Sequence, residues 1–383
     1  MNKSKKWCLR FVGIAVACIL ILLGISEALL HRINEGTVGS AVVDRMEKGA
    51  LYGSALNDDV TWYKLQLIKR QQPDIVALGS SRAWQFRRPF FKDSFYSMGY
   101  TVSSIDHAIY IFNQMRKTYT PKVIIFCVYL WWLNPNHKQK PLDTEFANRN
   151  ELEKRLYMYG QLYTELRRNP KLRSALLHPD LHDTDTIGAR KAVGLVAAAR
   201  AGGNREDGSY QYGETIINPG TAEDRIADTK DRIEKGERRF NFADAIDYDR
   251  LAKLKGLIHE MNNAGCTVIV CLPPFAHEIY SMMAASDGHK HLLQSFEQSV
   301  HQAADDEGVY FFDYSDMAWL GATDDEALDG FHGSERVYAR MCLSMSSNPE
   351  LQWMFDTDYL KTHLASPVDD MHIVPFDEMH YVK

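Results

Sequence analysis

The chain has 383 residues, of which 45% are hydrophobic and 25% are charged, and its formal net charge at pH 7 is −6. This length suits about two average domains or one large α/β domain, and the apolar fraction excludes a wholly disordered chain. The acidic balance argues against a nucleic-acid partner, because phosphate recognition needs a net basic surface.

The six cysteines include no Cys-x-x-Cys pair. A disulfide framework and a thiolate zinc site are therefore not expected. The histidines form only loose groups, so we expect neither a metal ion nor a cofactor.

The first thirty residues predict a membrane anchor. Basic residues precede an uncharged run from Phe11 to Ser26, and the apolar stretch from Trp7 to Leu30 is interrupted only by Arg10 near its start and by Glu27. About 24 residues at about 1.5 Å each can cross a hydrocarbon core of about 30 Å. Basic residues before the run place the N-terminus in the cytoplasm. We therefore predict a single-pass anchor in residues 1–31 and an extracytoplasmic domain in residues 32–383; a cleaved signal peptide is the alternative, disfavoured because no small-residue cleavage motif follows the run.

Four short apolar runs in the remainder predict buried parallel strands. They are Asp74–Leu78, Val123–Leu130, Thr267–Leu272 and Val309–Asp313. Amphipathic helical patterns precede the last two runs, and this repetition is typical of βαβ crossovers. The predicted fold is a three-layer α/β/α arrangement with a parallel, flavodoxin-like sheet.

Residues 141–250 show no alternation of strand and helix, and we interpret them as a helical insertion or cap. Glu151–Arg168 and Ala222–Arg239 are its predicted helices. Two interpretations of the polar segment between them stay open: a solvated decoration, which is slightly favoured, and a substrate-binding lid with Asp207–Tyr210 at its turn.

The first predicted strand runs directly into Gly79-Ser80-Ser81-Arg82. Ligands of open parallel sheets gather beyond the carboxyl ends of the strands, and a hydroxyl there gains from oriented backbone N–H groups. Ser81 is therefore a candidate nucleophile. A simple turn with a helix cap is the alternative explanation of the same residues.

A serine nucleophile needs a base and a group that orients the base. The pattern Asp-x-x-His, which supplies both, occurs at Asp329/His332, Asp369/His372 and Asp377/His380. Only the first pair directly follows a predicted core strand and precedes a helix. We select it and assign the other two pairs to a polar C-terminal tail.

Ser81 near the first strand and Asp329/His332 near the end of the chain resemble the SGNH (GDSL-like) hydrolase superfamily. Its Gly-Asp-Ser block is matched by Gly79-Ser80-Ser81, and its Asp-x-x-His block by Asp329 and His332. The GSSR variant and the N-terminal anchor are similar to the members that work beside membrane-bound O-acyltransferases. The resemblance implies Ser81 as nucleophile, His332 as base and Asp329 as its orienting carboxylate.

The superfamily also supplies a glycine and an asparagine that donate hydrogen bonds to the oxyanion. Neither has an unambiguous match here, so we assign the Ser81 N–H and, as a candidate, Asn134. Arg82 is a candidate for holding a substrate carboxylate, with a surface ion pair as the alternative. Trp131 and Trp132 end a strand where aromatic rings can stack on sugars, with core packing as the alternative.

The sequence thus predicts a membrane-anchored serine acyltransferase or esterase that adds or removes an acyl group, most simply acetyl, on a cell-surface polysaccharide. The resemblance implies a membrane-bound O-acyltransferase as partner. The alternative is a non-catalytic binding or assembly component of an envelope-polysaccharide machine.

Overall fold

A computed structural model describes residues 3–56, 60–141, 149–177, 192–213, 215, 218–367 and 369–372. The helices there are α1 (Lys3–Arg32), α2 (Ser40–Met46), α3 (Val60–Gln71), α4 (Ile105–Arg116), α5 (Leu130–Leu133), α6 (Glu151–Arg168), α7 (Pro170–Leu177), α8 (Leu195–Arg200), α9 (Ala222–Lys235), α10 (Tyr248–Asn263), α11 (His277–Ala285), α12 (Lys290–Asp306), α13 (Glu335–Met345) and α14 (Thr357–Ala365). The strands are β1 (Leu51–Tyr52), β2 (Ile75–Leu78), β3 (Phe95–Met98), β4 (Val123–Cys127), β5 (Ala192–Val193), β6 (Gly202–Asn204), β7 (Tyr210–Tyr212), β8 (Thr267–Leu272) and β9 (Tyr310–Asp313).

Five parallel strands form the central sheet in the order β3-β2-β4-β8-β9. Ile75 of β2, for example, lies opposite Phe95 of β3 on one side and Val123 of β4 on the other. Every residue of β2, β3 and β4 is buried, as expected for strands covered on both faces. The prediction of an α/β chain with a parallel sheet is confirmed.

Amphipathic helices lead into the last two strands of this sheet. α10 and α12 each bury one apolar face, and each ends just before a glycine with positive φ, Gly265 at 87° and Gly308 at 63°. Glycine adopts this left-handed conformation without steric cost, so it stops the helix and turns the chain toward the next strand.

Two strand predictions need correction. The predicted strand Val123–Leu130 ends at Cys127, and Leu130–Leu133 form the short helix α5. The run is continuously apolar because the turn after the strand is as buried as the strand itself. β3 was not predicted, since four residues that include Ser97 are too short to give a periodic signal.

Residues 141–250 contain strands as well as helices. α6 has the predicted bounds, but β5, β6 and β7 join β1 in a second sheet of order β5-β1-β6-β7. The region predicted as a helical insertion or cap therefore also contributes strands. These strands have two or three residues each, too few for hydrophobic alternation to be visible in the sequence.

A buried lysine attaches this second sheet to the central one. The ammonium of Lys64 on α3 donates hydrogen bonds to the carbonyls of Ser97 at 3.1 Å, Gly99 at 2.7 Å and Gly208 at 2.6 Å. Ser97 and Gly99 lie at the end of β3, and Gly208 lies in the turn between β6 and β7. All three ammonium protons are used, so one side chain fixes two loops against each other.

The N-terminal helix α1 is long and apolar enough to cross a membrane, and its most apolar window lies outside the protein core. Its 30 residues span about 45 Å at 1.5 Å per residue. The last turns contact α6, where the Ser26 and Tyr163 hydroxyls lie 2.9 Å apart and the Tyr159 hydroxyl donates to Glu27.

We expect Lys64→Met to destabilise the fold, because it leaves three buried carbonyls without a donor. A loss of about 2–4 kcal/mol in the free energy of unfolding follows from the usual cost of unpaired buried groups. Urea unfolding of the full chain in detergent measures it, with Lys69→Met on the same helix as the matched control. Equal stability of the two variants would contradict this role.

We also expect Glu297→Gln to change how stability depends on pH. Burial, and next the nearby Asp313 carboxylate, raise the pKa of Glu297 from 4.5 to about 7. The folded chain then holds a proton that the unfolded chain releases, so stability falls as pH rises from about 4.5 to 7. The variant should gain about 2 kcal/mol at pH 8 and almost nothing at pH 4. Urea unfolding at both pH values tests this, with exposed Glu260→Gln as control; a gain independent of pH would refute it.

Candidate active site

The chain leaves β2 through a turn that requires glycine at position 79. A Cβ atom on Gly79 would lie 2.2 Å from the hydroxyl oxygen of Tyr129, which follows β4. In the space this leaves, the Ser80 N–H donates to that oxygen at 2.8 Å. The Ser80 hydroxyl then accepts from the Arg82 N–H at 3.3 Å and caps the short helical turn Ser81–Ala83. Ser81 therefore stands at the first position of that turn, at the carboxyl edge of the sheet.

Ser81, His332 and Asp329 form a continuous chain of hydrogen bonds. The Ser81 Oγ lies 2.8 Å from His332 Nε2, and His332 Nδ1 lies 2.9 Å from Asp329 Oδ2. A carboxylate accepts only, so Nδ1 carries the proton and Nε2 is free to accept from the serine hydroxyl. This is the arrangement that activates a serine as a nucleophile.

The backbone fixes Asp329 in its place. Its Oδ1 accepts from the Phe331 N–H at 2.8 Å and from the His332 N–H at 2.7 Å. Burial acts to raise the pKa of Asp329, but the His332 ring and these hydrogen bonds outweigh it and leave the pKa below its ordinary value. The carboxylate is therefore ionised near neutral pH and can stabilise an imidazolium.

The second Asp-x-x-His pair has the same internal geometry without a serine. His372 Nδ1 lies 3.0 Å from both Asp369 oxygens, and this pair lowers the pKa of Asp369 to about 2 against the effect of burial. No hydrogen bond reaches His372 Nε2 from any residue that the structure describes. The third pair, Asp377/His380, lies outside the described residues. Local sequence makes the Asp–His contact, and only the fold supplies the serine.

Of the two predicted oxyanion donors, only the Ser81 N–H is left available by the geometry. It opens a helical turn, where the first amide has no partner within the turn, and it donates no hydrogen bond inside the described part of the chain.

Asn134 needs correction as the second donor. Its amide nitrogen donates to the Asn241 carbonyl at 2.5 Å, and its oxygen accepts from the Asn136 N–H at 2.8 Å, so this side chain holds two loops together.

Arg82 is buried, with 2% of its surface exposed. Its guanidinium lies 3.8 Å from the ring centre of Phe275 and 5.0 Å from that of Phe331, and it donates to the Pro273 carbonyl at 2.6 Å. Burial lowers its pKa to about 10. Neither predicted role, a surface ion pair or an open contact to substrate, fits a guanidinium enclosed by aromatic rings.

Trp131 and Trp132 lie in the core, with 2% and 0% of their surface exposed. Trp131 stacks on Tyr129 at 4.6 Å between ring centres, and Trp132 meets the same ring edge to face at 4.9 Å. The prediction that they stack on sugars is therefore corrected: they support the tyrosine that positions Ser80.

Sequence reasoning missed a group of aromatic residues beside His332. The ring of Tyr212 on β7 lies 6.2 Å from the His332 ring, and Trp84 is stacked between Tyr100 at 4.7 Å and Tyr210 at 4.3 Å. Tyr100 is 40% exposed, whereas Trp131 and Trp132 are buried. These residues come from three separate parts of the chain, and no local pattern joins them.

The turn at Asp207–Tyr210 is neither the solvated decoration nor the substrate-binding lid that the sequence left open. Asp207 and Ser209 are buried, so the turn is not a solvated decoration. The Ser97 N–H donates to the Asp207 carbonyl at 2.7 Å, and the Tyr210 N–H donates to the Trp84 carbonyl at 3.1 Å. The turn is thus fixed by backbone hydrogen bonds to Ser97 and Trp84 beside the site, which differs from a lid that closes over it.

Comparisons with known proteins leave the site geometry as the guide to function. No protein-family model matches the sequence, and no curated protein matches it. In the part of the chain that the structure covers, no three His, Cys, Asp or Glu side chains are grouped so as to hold a metal ion.

The Asp329 contact predicts one tautomer of His332. Selective ¹⁵N-histidine NMR of the full chain in detergent should show His332 protonated at Nδ1, with a mixture of tautomers in Asp329→Asn because an amide can also donate. The matched control, Asp369→Asn, should leave the His332 signal unchanged. Protonation at Nε2 in the wild type would contradict the arrangement.

Proposed function

We propose that the protein is a membrane-anchored serine acyltransferase or esterase of the SGNH (GDSL-like) type that acts on a cell-surface polysaccharide. The observation that carries the proposal is the unbroken contact from Ser81 through His332 to Asp329, with distances of 2.8 and 2.9 Å. The parallel sheet and the helices around it suit the three-layer α/β/α arrangement of that superfamily.

In the proposed reaction, the Ser81 oxygen attacks the carbonyl carbon of an acyl ester while His332 Nε2 takes the hydroxyl proton. The oxyanion that forms faces the Ser81 N–H. Collapse of the tetrahedral intermediate breaks the bond to the leaving alcohol, which receives the proton from His332, and leaves an acyl ester on Ser81. Asp329 holds the imidazole ring and stabilises its charged form.

A second alcohol or water completes the cycle. His332 removes the proton from the incoming hydroxyl, and the oxygen of that hydroxyl attacks the carbonyl carbon of the acyl-serine. The bond to Ser81 then breaks, and the Ser81 oxygen receives the proton from His332. A sugar hydroxyl makes the protein a transferase, and water makes it an esterase. Ser81 is only 9% exposed, which suits a small acyl group such as acetyl.

The location follows from α1. If α1 crosses the membrane with its basic end inside, the sheet domain lies outside the cytoplasm. The resemblance to superfamily members that work beside membrane-bound O-acyltransferases supports such an enzyme as the partner, and we propose it as the acyl donor in the transferase reaction.

A non-catalytic binding or assembly role is the second candidate. The observation that favours it is the lack of an assigned second oxyanion donor, because Asn134 is engaged with Asn241. Loss of one donor typically costs about 10²–10³ in rate.

Labelling with a fluorophosphonate separates the two candidates. We expect intact mass spectrometry of the full chain in detergent to show one adduct, mapped to Ser81 by peptide analysis. Ser81→Ala should abolish the adduct, and Asp329→Asn should slow labelling by about 10²–10⁴-fold. His332→Ala should also abolish it, whereas the matched variant His372→Ala should label normally. A folded wild-type chain that forms no adduct would exclude the catalytic proposal and favour the binding role.

A further inference from the structure

A basic cleft lies next to the residue that precedes His332. It has a volume of about 270 Å³. Its lining residues are Arg232, Arg238, Arg239, Phe240 and Phe331. Phe331 is the neighbour of His332 in the chain, and the centres of these two rings are 5.0 Å apart. The cleft and the candidate active site therefore share a wall.

Arg239 is the most distinctive of these residues. Its guanidinium lies over two aromatic rings, 4.9 Å from the centre of Trp131 and 5.0 Å from that of Phe331. No carboxylate or carbonyl within the described ranges forms a hydrogen bond or ion pair with it. Arg225, on the preceding helix, is the opposite case, since four backbone carbonyls occupy its guanidinium, among them that of Ala327. A half-buried guanidinium held by ring faces keeps its N–H groups available.

Two further guanidinium groups, those of Arg232 and Arg82, lie near Arg239, and that of Arg232 is ion-paired with Asp228. Burial, and next the charge of Arg232, lower the pKa of Arg239, while Asp329 acts in the opposite direction. Asp329 attracts Arg239 only at a distance, because its oxygens are hydrogen-bonded to His332 and to backbone N–H groups. Arg82 lies against the same two rings, 6.0 Å from Trp131 and 5.0 Å from Phe331. An anion in the cleft would relieve the repulsion among these guanidinium groups.

The backbone that presents Arg239 is unusual. α9 ends at Lys235 with Gly236 as its cap. Arg238 has a φ of 58°, in the left-handed region that residues with a side chain rarely adopt. The Arg238 carbonyl lies 2.8 Å from His137 Nδ1, which helps to hold this conformation. Strain of this kind is retained where a side chain must point in a particular direction.

We propose that this cleft binds an oxyanion, a carboxylate or a phosphate, carried by the polymer on which the enzyme acts. Arg239 is its principal ligand, and Arg232 and Arg238 lie at the rim. That the anion belongs to a polymer rests on the proposed function. The inference adds that this acceptor polymer is a polyanion. An anion held beside Phe331 places a neighbouring sugar hydroxyl toward His332.

Binding to the full chain in detergent, with the Ser81→Ala substitution to prevent turnover, tests this inference. Calorimetry would compare three oligomers of equal length: a uronate oligosaccharide, a polyol phosphate and a neutral oligosaccharide. We expect one or both anionic oligomers to bind at least about 10-fold more tightly than the neutral one, with an affinity that falls as salt increases. A preference for uronate identifies a carboxylate ligand, and a preference for polyol phosphate identifies a phosphate ligand.

Arg239→Gln should weaken binding of the preferred anion by about 10–100-fold, since a charge-assisted pair is lost. Arg239→Lys should bind with intermediate strength, because it keeps the charge without the two-pronged geometry. Arg168→Gln, which removes an exposed arginine of α6, is the matched control and should bind as the parent does. Circular dichroism verifies that each variant is folded.

Equal affinity for neutral and anionic oligomers, or an Arg239→Gln variant that binds the anion as well as the parent, would overturn the inference. Failure of the proposed function has a different signature. The wild-type chain would then form no fluorophosphonate adduct, while the anion would still bind and still depend on Arg239.

Discussion

The close approach between the backbone at Gly79 and the hydroxyl of Tyr129 positions the rest of the site. A side chain at Gly79 would meet that oxygen at 2.2 Å, and without one the Ser80 N–H reaches it at 2.8 Å. This contact joins the ends of β2 and β4 and directs Ser81 toward His332. The buried ring of Trp131 stacks on Tyr129 and supports it in this position.

The charged groups around Ser81 differ in whether they have a charged or polar side-chain partner. Asp329 serves His332, whereas Arg82 and Arg239 lie against aromatic rings and have no carboxylate partner within the described ranges. Ring faces attract a guanidinium but leave its net charge in place. Two guanidinium charges and one carboxylate charge therefore lie close to where the proposed oxyanion would form, and this balance suits the anionic ligand proposed for the neighbouring cleft.

The insertion connects the apolar N-terminal helix to the site. At one end, α6 contacts the last turns of α1 through the Ser26–Tyr163 pair. At the other end, the turn between β6 and β7 is held by Lys64, and Tyr212 of β7 lies beside His332. Residues that lack any strand–helix alternation in the sequence thus form part of the wall of the site and part of the support of the helix.

The sequence by itself determined the elements whose signals are local. Buried strands appear in the sequence as apolar runs. Short motifs that follow two of these runs identify Ser81, Asp329 and His332. Short strands such as β3, and the surroundings of each side chain, were decided by tertiary structure, because burial depends on residues far apart in the chain. For Trp131, both sugar stacking and core packing were open, and it lies in the core. Arg239 was placed at the end of a predicted charged helix, and it lies over the rings of Trp131 and Phe331. A motif specifies which groups are present, but only packing decides which of them water, substrate or another side chain can reach.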